Sequence, residues 1–248
     1  MNPPDTHEKT VVTRVAERHW HALEDDLVVG RGEASRRPDG RVFLSVDAWR
    51  GAVFDHLADA MLRDLPRPLY TVVDEADLDL ITDWLRAGFS IRRREWEYVV
   101  PTRADLAPAP SGVTMIGVGD AEEEPLKELD RVIRDEVEAT IGWQEMPAEV
   151  RSVLDPSRYA VAARAGDYVG MVRVVPLRQP RIGLIAVRAD LRRRGIAWAL
   201  LSYVLGALHR SGVATASAEV NEANAAATAL VEGAGARRAS SNLELVIR

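Results

Sequence analysis

A chain of 248 residues with 47% hydrophobic content can bury one large core or two modest ones, and 32 basic against 38 acidic residues, a formal charge of −6, argue against general nucleic-acid binding. With no cysteine, and five histidines in no ligand-like spacing, disulfides, thiolate nucleophiles and Cys- or His-built metal sites are set aside. The start MNPPDTHEKT is polar and no stretch approaches ~18 uninterrupted apolar residues, so a cytoplasmic protein with no membrane contact is expected.

In chain order, LVVGRGEASRRPDGRVFLSV holds two extended runs around the turn signal Pro38-Asp39-Gly40 and predicts a β-hairpin. Val53, Leu57, Met61 and Leu65 recur at fourfold spacing and predict a helix. LYTVVDE then reads as a buried strand, LDLITDWLRAGF as a helix stopped by Gly88, and RRREWEYVV as a strand closing the lobe. PTRADLAPAPSG, residues 101–112, has three prolines and no period, and is expected to link a lobe at 1–100 to a domain at 113–248. In the second part GVTMIGV predicts a short strand. AEEEPLKELDRVIRDEVEATI predicts a helix with an acidic first turn and Leu126, Leu129, Ile133 and Val137 on one face. RYAVAARAGDYVGMVRVV predicts a hairpin turning at Ala165-Gly166-Asp167, followed by the strand RIGLIAV, a helix ending near Leu208, the strand TASAEV, a helix stopped by Gly233 and Gly235, and the strand NLELVIR. The succession strand, glycine, helix, strand, helix, glycine, strand occurs twice, with Gly51 opposite Gly195 and Gly88 opposite Gly235. An internal duplication is expected from it.

The stretch VRADLRRRGIAWALLSYVLGAL raises a physical question. A helix start carries roughly +0.5 of a charge and unpaired N–H donors, so Arg192, Arg193 and Arg194 ahead of it oppose the local field unless an anion sits among them. A strand ending at Val187, an Arg-rich turn, and Gly195 opening the helix form an arrangement that aims backbone N–H groups at such an anion.

RRRGIA, Arg192 to Ala197, resembles the acyl-CoA pyrophosphate motif Q/R-x-x-G-x-G/A of the GNAT superfamily of N-acetyltransferases. Asn224, Ala227, Leu230 and Gly235 fall in register with that family's downstream N-x-x-A-x-x-L-Y-x-x-x-G-F segment. The resemblance spans about residues 113 to 248 and implies an α/β (α+β) fold: a mixed central β-sheet flanked by helices, here duplicated with a truncated N-terminal copy. It implies acetyl-CoA as donor, with coenzyme A as product. The pyrophosphate would lie on the backbone of Arg193, Arg194, Gly195, Ile196, Ala197 and Trp198, with Arg192 and its neighbours near the phosphates. The pantetheine arm would pair with Ile185, Ala186 and Val187 and touch Asn224, with Ala227 beside it. Strands ending at Val187 and Val220 would splay to leave a slot for the thioester.

Without cysteine, direct attack of an amine on the thioester in a ternary complex is the implied chemistry, and it needs a proton acceptor. Glu219, and Asp135, Glu138 and Glu145 along the segment that walls the family's acceptor pocket, are the candidate bases, and Trp143 a candidate wall. The family's tyrosine acid falls on Val231, which donates no proton, so Tyr203, Ser217 or Thr228 would have to substitute. In the N-terminal lobe Ala48 stands where Gln or Arg is expected and Asp47 adds a negative charge, so pyrophosphate binding there is expected to be poor. The expected function is acyl-CoA-dependent N-acylation of a small-molecule amine by a monomer or homodimer without nucleic-acid partners. The alternative is a catalytically silent acyl-CoA-binding sensor or interaction module.

Overall fold

A computed structural model describes residues 10–37, 39–103, 108–142, 146 and 153–248. The chain forms two compact units, one of residues up to Arg94 together with Ser241–Arg248, the other Glu95–Ser240.

In the first unit β1 (Val11–Ala16), β2 (His19–Glu24), β3 (Leu27–Arg36) and β4 (Val42–Ala48) pair antiparallel in succession. Helix α1 (Gly51–Asp64) then leads to β5 (Leu69–Asp74), which runs parallel to β4, and α2 (Leu78–Arg86) follows. The fourfold spacing of α1 brings Val53, Leu57 and Met61 into the core, where Phe54 and Phe89 clasp Trp84 edge-on at 4.9 and 4.8 Å. Asp77 caps α2 by accepting from Leu80 N–H at 3.0 Å, and Gly88 ends it in the left-handed region. The last strand of the chain, β12 (Arg237–Ile247), lays its residues 242–247 antiparallel along β5, so the C-terminal segment completes this unit.

The second unit takes residues 95–101 of β6 (Ser90–Pro101), which pair antiparallel with β11 (Thr215–Asn221). It continues with β7 (Val113–Ile116), α3 (Glu123–Glu138), β8 (Tyr159–Arg164), β9 (Asp167–Val175), β10 (Arg181–Val187), α4 (Ile196–Arg210) and α5 (Ala225–Gly233). Across the sheet the order is β6-β11-β10-β9-β8-β7. All neighbours are antiparallel except β10 and β11. The β8–β9 turn places Ala165 and Gly166 at φ of 53° and 92°, the twist a two-residue hairpin loop needs. Alternation along β9 sends Val172 and Val174 to the α4 core, and Met171 to the opposite face, where Leu126, Leu129 and Ile133 of α3 cover it. No helix among the described residues is long and apolar enough to cross a membrane.

The elements named from sequence are all present, and β1 and β2 are additional. β1 is exposed along nearly its whole length, so it carries no alternating signal, and β2 buries only Trp20, Ala22 and Glu24. The division between units differs from the proline-rich stretch 101–112. It falls inside β6 and β12, strands of 12 and 11 residues, between residues 94 and 95 and between 240 and 241.

Candidate active site

Helix α4 begins at Gly195, whose φ of 80° and ψ of 0° lie in the left-handed region that a residue without Cβ enters freely. Arg193, at φ 63°, is also left-handed. Such residues two apart curl the chain so that successive N–H groups converge on a concavity, an anion-binding shape that adds to the helix dipole. Asp77 caps α2 and Asn224 caps α5, whereas among the described residues α4, like α1 and α3, starts without a side-chain cap. Buried Ile196, Leu200, Leu201, Val204 and Leu205 pin the helix to the sheet, and Leu191 plugs the turn from beneath.

Beside this turn the sheet opens. The parallel ladder of β10 with β11 consists of Arg181↔Ser217 and Ile182↔Ala218 only, although the strands run on to Val187 and Asn221. A bulge between Ile182 and Leu184 bends β10 at the point where pairing stops. Leu184, Ile185, Ala186 and Val187 remain held on the β9 side while no ladder joins them to β11. The splayed pair expected from the resemblance is therefore present, and its mouth lies at the carboxyl ends of the strands, where such sheets bind ligands.

The three arginines divide. Arg192 donates Nε–H to the Val187 carbonyl at 3.0 Å and Nη2–H to Glu136 at 2.9 Å; Glu136 also accepts from Ala189 N–H at 2.9 Å. Its guanidinium thus ties the turn to α3, with Nε and Nη2 engaged within the protein. Arg193 and Arg194 are exposed, and Arg194 makes only a 3.5 Å contact to the Asp190 carbonyl. Glu136 escaped sequence reading because a helix carboxylate looks like solvated surface. Replacing it with alanine is expected to lower stability by about 1 kcal/mol and to weaken acetyl-CoA binding roughly fivefold, measured by denaturant unfolding and calorimetry.

The remaining candidates are scattered. Glu219 lies one residue past the end of the parallel ladder and pairs with Arg181 at 2.6 Å. Glu138 and Asp135 are exposed on the last turns of α3, where Asp135 accepts from Arg131 at 3.0 Å. Tyr203 turns away from Glu219: it lines a cavity of about 480 Å³ with Val113, Met115, Ser202 and Arg210, on the β7 side of α4. The two are not brought together. Ser217 is buried opposite Arg181 in the parallel ladder, Thr228 is half-buried on α5, and Val231 is packed in the α4 core. Asn224 spends its Oδ1 on the Ala227 N–H at 3.0 Å, which leaves its amide N–H donors for a ligand. Trp198 packs toward Gly233 of α5. Trp143 and Glu145 lie outside the described residues.

Sequence reading also missed Arg173, the one charged residue inside the apolar run YVGMVRVV of β9. It is 8% exposed and its Nη1 has no hydrogen-bond partner. Nearby, burial pushes the Tyr159 phenol above its ordinary value, with the Arg173 charge acting against that rise.

The first unit has a similar parallel pair, with a β4–β5 ladder limited to Val42↔Leu69 and Phe43↔Tyr70. Its helix start differs. Arg50 is extended, Gly51 is not left-handed, and a Cβ on Gly51 would meet nothing closer than the Arg86 guanidinium at 3.6 Å.

No curated protein matches the chain. Among solved structures, a GCN5-related N-acetyltransferase from Sphaerobacter thermophilus is similar over 95% of this chain and 82% of its own, at 17% identity and a TM-score of 0.69. A tandem GNAT protein from the clavulanic acid biosynthesis pathway is similar over 92% and 82%, at 16% identity and 0.64. A GCN5-related N-acetyltransferase from Kribbella flavida covers 96% and 89%, at 17% identity and 0.61. These likenesses establish the fold. Residues 126–236, which include the left-handed turn, the opened strand pair and α5, match the acetyltransferase (GNAT) family, and the chain therefore carries a GNAT acetyltransferase domain, whose acyl donor is acetyl-CoA.

Proposed function

We propose that residues 95–240 hold a single site that transfers an acetyl group to the amine of a small-molecule acceptor by direct attack in a ternary complex. The observation that carries this reading is the juxtaposition, within one unit, of the uncapped start of α4 behind left-handed Gly195 with the β10–β11 opening. The donor set fits the coenzyme: backbone N–H groups from Arg193 to Trp198 for the pyrophosphate, exposed Arg193 and Arg194 for further phosphate charge, and the unladdered edge of Ile185 to Val187 for the pantetheine amides. When bound, the coenzyme supplies an activated thioester.

The chain's own residues would hold the thioester carbonyl at the Val187 end of β10 and take a proton from the amine. Glu219 is the carboxylate that borders the opening, and its ion pair with Arg181 gives it a fixed place. With Val231 in the core and Tyr203 facing another cavity, the leaving thiolate would take its proton from water. That same loss of a placed acid favours a second reading, a silent acyl-CoA-binding module. The first unit would be a truncated copy that keeps the divergent strands but lacks the left-handed helix start, and so binds no coenzyme. The likenesses covering 92% and more of the chain, one of them to a tandem protein, support that view.

Calorimetry with acetyl-CoA is expected to give one molecule bound per chain, and release of free CoA is expected on adding members of a panel of amines. Binding without release for any amine favours the silent module, and absence of binding overturns both readings.

A further inference from the structure

On the face of the second unit opposite α4, a cation stands without a counter-ion among the described residues. Arg173 lies between Val172 and Val174, which point into the α4 core, so its side chain emerges on the α3 side with Met171. Among the described residues it makes no ion pair and no hydrogen bond. The nearby carboxylate, Asp130, is taken by Arg134 Nε–H at 2.5 Å. A guanidinium so little exposed, with Nη1 buried and unbonded, is unfavourable, and an anion arriving there would complete it.

Its position says where that anion arrives. Arg173 pairs across the ladder with Leu184, at the bulge of β10, and a Cβ on Gly183 would stand 3.2 Å from Nη1. Gly183 thus leaves room for the guanidinium at the level where the β10–β11 ladder ends. By the same alternation Glu219, whose neighbours Ala218 and Val220 face the α4 core, emerges on the Arg173 face. The opening is therefore flanked on one face by an unpaired cation and by a carboxylate.

We propose that Arg173 is a specificity residue that receives a carboxylate of the reacting partners, so that the site takes an amine bearing a carboxylate, such as an amino acid, or an acyl-CoA with a carboxylate on its acyl group. This rests on the acyl-CoA reading above and refines it. An acidic acceptor is opposite to what the chain's net negative charge alone suggests; a local unpaired guanidinium outweighs a charge spread over the whole surface.

The test reads binding, so it holds whether or not turnover occurs. Acetyl-CoA affinity is measured first, on wild type and Arg173→Met; its failure in wild type sinks the acyl-CoA reading and this proposal with it, whereas intact binding isolates the present question. In the acceptor arm, protein saturated with CoA is titrated with phenylalanine against phenethylamine and lysine against cadaverine. In the donor arm, succinyl-CoA is compared with butyryl-CoA. In one arm wild type is expected to favour the carboxylate compound about 100-fold, and Arg173→Met to abolish that preference while binding acetyl-CoA normally. Arg173→Lys is expected to restore part of it. Without ligand, Arg173→Met is expected to melt roughly 2–4 °C higher, because an apolar chain of similar length replaces an unpaired buried charge. No carboxylate preference in either arm, or one that Arg173→Met leaves unchanged, overturns the proposal.

Discussion

Gly195→Val is expected to weaken acetyl-CoA binding by about 100-fold, close to 2.7 kcal/mol, while the chain stays folded. A Cβ at residue 195 would find space, its nearest neighbour being Pro110 at 3.7 Å, so the penalty comes from the backbone and not from a clash. At φ 80° an L-residue is disfavoured by about 1–2 kcal/mol, and a β-branched one by more, so the turn relaxes away from the left-handed geometry. The N–H groups that converge on the concavity then diverge. Calorimetry reads the loss, and a melting curve shows the fold retained. Arg193→Gly is the companion variant: it relieves a left-handed non-glycine at φ 63° while deleting a guanidinium. If the backbone carries the pyrophosphate, Arg193→Gly changes affinity by less than roughly fivefold. If side-chain charge carries it, Arg193→Gly hurts more than Gly195→Val, and the site built on the main chain is wrong.

Legibility in the sequence followed the range of the interaction involved. Helices α1, α3 and α4 were readable because their apolar residues repeat on one face, and that face is what each buries. Gly195 was readable because a left-handed helix start admits few residues, so local stereochemistry dictates its identity. The strand opening was anticipated only through resemblance, since nothing in RIGLIAV or TASAEV announces that their ladder ends after two pairs. Three things were hidden because they depend on distant partners. Arg192 gives no sign in the sequence of its tie to Glu136, 56 positions earlier. Tyr203 reads as a replacement acid until its side of α4 is known. Strand β12 reads as the end of the second domain until its pairing with β5 appears. In each case the composition was compatible with several neighbours and only the tertiary fold chose one.

The pairing of β12 with β5 carries its own large expected effect. Glu244 alternates with Leu243 and Leu245, so when those enter the core of the first unit, its carboxylate turns to the other face. There it is 3% exposed and bonds Arg92, Arg93 at 3.2 Å and Arg41 at 3.4 Å. Arg41 is further held by Asp39 at 2.7 Å. One carboxylate thus offsets the charge of guanidiniums that are themselves 9–13% exposed. Glu244→Gln keeps the shape and deletes a charge that three guanidiniums share in a poorly solvated layer. Removing one partner of such a buried set is destabilising by about 3–5 kcal/mol, whereas Glu219→Gln, at a half-exposed pair, is expected to fall within about 1 kcal/mol. Urea unfolding followed by tryptophan fluorescence measures both, since Trp84 and Trp20 report on the core that β12 completes. Acetyl-CoA affinity gives the discriminating second reading. With the coenzyme held wholly by residues 95–240, Glu244→Gln loses stability and leaves the dissociation constant of the folded protein unchanged. A parallel fall in affinity would mean that the first unit supports the site, and the description of that unit as a copy without a part in binding would have to be given up.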